Sequence, residues 1–132
     1  MPFSFDSYLG VHAPALTIRA KRAQILASNL ANVDTPNYKA RDIKFNDALN
    51  AVTSGNSAGM LRNTHSNHIQ PESFMSGYEL QYRIPNQPSL DGNTVEQQVE
   101  MAAYSDNAMR YLANLRFLSG KFNTLRTAIK GQ

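Results

Sequence analysis

Three histidines, the pair Glu96 and Glu100, and scattered serines and aspartates are the residues of this chain that could do chemistry. His65 and His68 stand three apart, a spacing two metal ligands could share, but His12 is distant and no third ligand joins them. No metal site is expected. Ser, Asp and His all occur, yet the chain has neither a Gly-x-Ser-x-Gly elbow nor a glycine loop that would cradle a phosphate. Glu96 and Glu100 are helix neighbours at i and i+4 near a helix start, where the dipole accounts for them better than acid–base work. Cysteine is absent, which removes disulfides, thiolate nucleophiles and cysteine metal sites together. No cofactor and no enzymatic activity are expected.

The bulk composition points the same way. A chain of 132 residues has room for one core. Apolar residues make up 42%, enough for folding, while charged residues are only 17%, with Asn, Ser and Gln filling the gap. The net charge of +3 is small and dispersed, so nucleic acid is not an expected partner. The first residues, MPFSFDSYLG, lack the basic start and apolar stretch of a cleavable signal peptide. The longest apolar run is the four residues Met101 to Tyr104, so no membrane insertion is expected. If the protein works outside the cytoplasm, it leaves by a route that reads no such signal.

With chemistry set aside, the pattern of the elements becomes the informative feature. The sequence predicts a mainly α fold, in which long N- and C-terminal helices pair as an antiparallel coiled coil around a turn-rich middle with short β-strands. Residues 1–32 hold the N-terminal helix, 33–93 the turn and short-strand region, and 94–132 the C-terminal helix. In that last segment Met101, Tyr104, Ala108, Tyr111, Leu115, Leu118, Phe122, Leu125 and Ile129 alternate at three and four residues. Thr94 and Gln97 have the spacing of a capping box, Asp91-Gly92-Asn93 reads as a turn before it, and Gly131 is a plausible stop. An amphipathic helix lying on its own globule would have the same period. Length argues against that reading. A helix of roughly 36 residues is about 54 Å long, whereas a globule of this chain length is only about 36 Å across.

The N-terminal helix supplies part of the missing cover. From about Ala13 to Asn32 it carries Leu16, Ala20, Ala23, Ala27 and Leu30 at four and three, an alanine-rich row that lets another helix approach closely. Pro14 fits a first helical turn. Being shorter, this helix leaves roughly half of the longer row for other subunits. If the two rows face each other, Leu16 comes near Leu125. Arg19, Lys21 and Arg22 read as a solvated face, or as contacts to acidic surfaces of neighbours. In the middle, Tyr78 to Tyr82 alternates like a strand, and residues 53–73 have almost no apolar period and are expected to form a mobile loop.

One stretch is unusual enough to identify a family: Ala27-Ser28-Asn29-Leu30-Ala31-Asn32-Val33-Asp34-Thr35-Pro36-Asn37-Tyr38, running on through Lys39-Ala40-Arg41-Asp42. Asn32 can end the helix, Asp34 and Thr35 can cap local backbone groups, and Pro36-Asn37 suits the centre of a turn. This stretch resembles the signature at the end of the N-terminal helix in the flagellar basal-body rod and hook axial proteins. Asp91-Gly92-Asn93-Thr94-Val95, Ser119-Gly120-Lys121-Phe122 and Ala128-Ile129 are similar to the proximal-rod members at the far end. That family usually has glycine where Asn37 stands, and Asn is the other residue that best tolerates a left-handed conformation.

The resemblance implies a structural subunit of the proximal rod, built through its terminal helices into a tubular drive shaft around the export channel. It further implies a periplasmic location in the basal body and export without a cleaved signal peptide. The implied partners are other copies of the chain, other rod proteins, the adaptor joining rod to membrane ring, and the flagellar type III export apparatus. From the residues alone, a soluble coiled-coil adaptor or secretion chaperone is the main alternative, and a small hydrolase on a helical frame the weakest.

Overall fold

The computed structural model describes residues 4–54 and 80–131. A short helix α1 (Phe5–Leu9) is separated by Gly10 and Val11 from the long helix α2 (His12–Ala31). Strand β1 (Arg41–Ile43), helix α3 (Phe45–Thr53) and strand β2 (Leu80–Tyr82) follow, and α4 (Gln97–Lys130) closes the chain. His65, His68, Tyr78, Glu79 and most of the expected 53–73 loop lie outside the described residues. No group of metal-ligating side chains and no helix long and apolar enough to cross a membrane occurs among the described residues.

The helix limits follow from local chemistry. Pro14 occupies the first turn of α2, where its missing N–H is no loss. Asn32 ends that helix, its N–H bonding Asn29 O at 3.0 Å while the Val33 N–H bonds Leu30 O at 3.4 Å. Gly131 ends α4 in the left-handed conformation, and its N–H reaches Thr127 O at 3.0 Å. The expected capping box does not form. Glu96 is the N-cap residue and makes no side-chain cap, its carboxylate accepting instead from Asn86 N and Nδ2 at 2.6 and 3.0 Å, while Thr94 Oγ1 accepts the Ala40 N–H at 2.8 Å. α3 was not anticipated. It starts after extended Lys44 and has Asp47 in its first turn, where the dipole favours an acid.

α2 and α4 pack along their lengths in opposite directions, so the antiparallel pair of terminal helices is present. At about 51 Å, α4 outruns α2 at about 30 Å. β1 and β2 form a two-stranded antiparallel sheet with Arg41 opposite Tyr82 and Ile43 opposite Leu80. The small apolar core lies between α2, β1 and α3: Ile18, Ile43 and Ala48 are buried, with Ile25, Phe45 and Leu49 packed against them.

Candidate functional site

The seam between the long helices is polar. On α4 the buried residues are Glu100, Asn107 and Asn114, recurring every seven residues, and Lys121 continues the series. Each meets the backbone or a polar group opposite. Lys121 Nζ donates to Tyr8 O at 2.8 Å, and Tyr8 OH returns a bond to Lys121 O at 3.3 Å. Asn114 Nδ2 donates to His12 O at 2.9 Å, so its Oδ1 is the acceptor for His12 Nδ1 at 2.7 Å. Asn107 Nδ2 donates to Arg19 O at 2.9 Å, and Asn29 Nδ2 to Glu100 Oε2 at 3.2 Å. Such bonds fix direction and register, because a slip leaves buried amides unpaired at about 1–3 kcal/mol each.

The expected apolar rows therefore stand beside the seam. Met101, Ala108, Leu115 and Phe122 each follow a seam residue by one position, and Ile129 continues that row. One residue forward is about 100° around the helix. Met101, Leu115, Phe122 and Ile129 are accordingly 52%, 43%, 47% and 81% exposed. Tyr104, Tyr111, Leu118 and Leu125 follow by four positions, only about 40° away, and all but Tyr104 are half-buried. α2 shows the same displacement. Ala15, Leu26 and Asn29 are buried, while Leu16, Ala27 and Leu30 directly after them are exposed or half-buried. Ala20 and Ala23 likewise follow Arg19 and Arg22, and neither is buried. The register also differs: the His12–Asn114 contact sets Leu16 opposite the turn before Asn114, far from Leu125.

Antiparallel packing gives this displacement a consequence. Two facing helices that run in opposite directions carry a one-residue advance to the same side of the pair. The alanine-rich row of α2 and the large-residue row of α4 thus border one side, and α3 and the sheet lie on the other.

The signature stretch builds the end of the pair. Tyr38 N–H bonds Thr35 O at 3.3 Å across Pro36-Asn37, and Asn37 has φ 62°, the positive value a type II turn needs at its third position. Thr35 Oγ1 reaches Asn32 Oδ1 at 3.2 Å, while Asp34 is exposed. Asn29 is fully buried: its amide donates to Arg41 O at 2.8 Å, and its Oδ1 accepts from Arg41 N and Tyr38 OH. From the far end of the sequence, Asn93 Nδ2 lies within 3.1 Å of Asn32 O, Val33 O and Thr35 O. Asn37 N–H bonds Asp91 O, and Thr94 N–H bonds Tyr38 O. The two sequence motifs interlock as one structure.

An ion network backs this joint. Arg22 grips both oxygens of Asp42 at 2.8 and 2.9 Å, and Arg83 bridges Asp42 at 2.7 Å to Glu100 at 2.6 Å. Burial pushes the Asp42 carboxyl up, but the hydrogen bonds from Arg22 and Arg83 outweigh it and hold the group below its ordinary value. The Asp42 hydrogen bond raises Arg22 in turn. Arg22 is thus committed inside the chain, against the expectation of a solvated face, and Arg19 lies 3.9 Å over the Phe45 ring. Glu100, read in the sequence as a dipole residue, is buried as the acceptor for Asn29 and Arg83.

No catalytic constellation emerges among the described residues, whose geometry is that of a braced helix pair with an apolar side that none of them covers. Residues 9–39, which span α2 and the signature turn, match the family model described as flagella basal body rod protein. Over 128 residues the chain is 47% identical to the flagellar basal body rod protein FlgB of Cereibacter sphaeroides, covering 97% of this chain and 98% of that one. FlgB of Aeromonas hydrophila is 42% identical over 133 residues, with 100% and 99% covered. FlgB of Escherichia coli strain K12 is 40% identical over 130 residues, with 95% and 94% covered. These relatives are structural rod proteins, and none points to an adaptor, a chaperone or a hydrolase. Likeness of this extent, from α2 through the signature turn to the end of α4, means that the chain belongs to the FlgB family of flagellar basal body rod proteins.

Proposed function

We propose that this chain is a structural subunit of the proximal rod, and that the uncovered rows on its terminal helices are the surface through which it assembles. The observation that carries the reading is the polar seam. Hydrogen bonds close the hairpin, so Leu16, Ala20, Ala23, Ala27 and Leu30 on α2, and the row from Met101 to Ile129 on α4, remain for neighbours. On this reading residues 1–32 and 94–132 form the axial layer of a tube that transmits torque and encloses the export channel. Residues 33–93 carry the signature turn and brace the pair. Other copies, other rod proteins and the adaptor between rod and membrane ring are the expected neighbours. Export by the flagellar type III apparatus, without a cleaved signal, would deliver the subunit to the periplasmic side.

Leu115→Asp tests the surface. Leu115 is 43% exposed, so the isolated chain should keep its stability to about 0.5 kcal/mol. An unpaired charge buried between subunits costs several kcal/mol, so basal-body yield and swimming should be lost. Normal swimming by Leu115→Asp cells would sink the assembly reading.

A further inference from the structure

A second surface lies on the side of the pair that carries α3. A cleft of about 410 Å³ is walled by Arg19, Arg22, Lys44, Asp47, Asp106 and Arg110. It runs into a groove of about 300 Å³ floored by Val11, Ala15, Ala113 and Phe117, and the two share Arg19, Phe45 and Arg110. One end of the combined trough is therefore cationic and the other apolar. Arg22 is held by Asp42 and Arg110 by Asp106, at 2.8 Å each. Arg19 forms no ion pair among the described residues, and its guanidinium rests on the Phe45 ring. Burial, with Arg110 and Arg22 close by, lowers its pKa against the opposing pull of Asp106. The positive field here is under-compensated. At the other end Phe117 is 65% exposed and Val11 half exposed.

The molecule carries a matching projection. Leu90 is fully exposed, and the exposed Asp91 follows it in the turn ahead of α4. The Ser89 hydroxyl and the Asn93 N–H both bond Asp91 Oδ1, which leaves Oδ2 without a partner among the described residues. This turn sits against Asn37, beyond the C-terminal end of α2, while the trough lies along the first half of that helix. Projection and trough cannot meet within one chain, and a reciprocal contact across a two-fold axis would use up both in a closed dimer, whereas an assembling subunit needs a contact that can continue. Between copies they meet head to tail, the contact type that closes into a ring or winds into a helix.

We propose that the Leu90–Asp91 turn of one copy seats in this trough of the next, with Leu90 between Val11 and Phe117 and the Asp91 carboxylate on Arg19. The proposal rests on the reading of the chain as an assembling subunit, and it adds a named contact between copies on the side away from the apolar rows.

The chain has no cysteine, so introduced pairs are unambiguous. Basal bodies would be isolated from cells whose only copy carries Leu90→Cys and Phe117→Cys, then oxidised and separated without reductant. A ladder of crosslinked copies is expected, and adding Arg19→Glu should reduce it at least about tenfold, the effect of some 1.4 kcal/mol. As a second variant, Leu90→Asp should lower basal-body yield while leaving the melting of the purified chain unchanged, since Leu90 is fully exposed. Basal bodies at normal yield without the ladder would overturn the proposal, as would normal swimming by Leu90→Asp cells. Absence of the unsubstituted chain from basal bodies would remove the subunit reading, and this contact with it.

Discussion

A Cβ placed on Gly92 would lie 2.7 Å from the side-chain Oδ1 of Asn37, so the turn before α4 and the signature turn after α2 meet in close contact at a glycine. Gly92 also has φ 72°, a left-handed value that costs an L-residue about 1–2 kcal/mol. Gly92→Ala should therefore destabilise the chain by at least that amount in a denaturant melt. Asn37→Gly should be nearly neutral, since Asn37 is itself left-handed. Combined, the two should cost less than their sum, because the clashing atom is gone while the backbone penalty remains.

The polar seam makes a separate demand. Replacing Asn107 and Asn114 together by Leu removes the bonds to Arg19 O and His12 O but adds apolar area. Melting temperature should hold or rise, while the register loosens, since buried polar side chains specify alignment more than they stabilise it. Cysteines at Ala15 and Tyr111 should crosslink in the parent chain. In the double-Leu variant that yield should drop, and pairs shifted by one heptad should begin to react. An unchanged crosslink pattern would show that the apolar packing alone sets the register.

Acid sensitivity should trace to Asp42. Its folded pKa is depressed, so the stability it contributes is present above the unfolded value of about 4 and is lost as pH falls through the lower folded value. Thermal melts taken downward from pH 5 should show a loss that Asp42→Asn abolishes. That variant should be less stable than the parent at pH 7, where Arg22 and Arg83 lose their shared carboxylate. A parent and variant with parallel pH profiles would refute the assignment.

Much of the frame was legible in the residues. The three-and-four spacing from Met101 to Ile129 marked α4, Gly131 its end, and Pro36-Asn37 the turn, because these depend on local chemistry. The seam was not. An apolar period tells which residues avoid water, and in a chain that assembles, some of them avoid it only in company. Glu100, Asn107, Asn114 and Lys121 hold a strict seven-residue repeat that a search for apolar rows passes over. A search for polar heptads would have found it. Thr94 was misread because its partner, Ala40, is 54 residues away. α3 was hidden by the turn formers around it, although Phe45, Ala48, Leu49 and Val52 have helical spacing.

The division between a polar interior seam and apolar outer rows sets how the two levels of structure respond to temperature. Hydrophobic association near 25 °C is driven by the entropy of water and weakens on cooling. A hairpin aligned by amide and carboxylate bonds does not share that dependence to the same degree. Contacts between subunits should then slacken in the cold before the hairpins themselves open, so chilled rods are expected to shed intact, folded subunits.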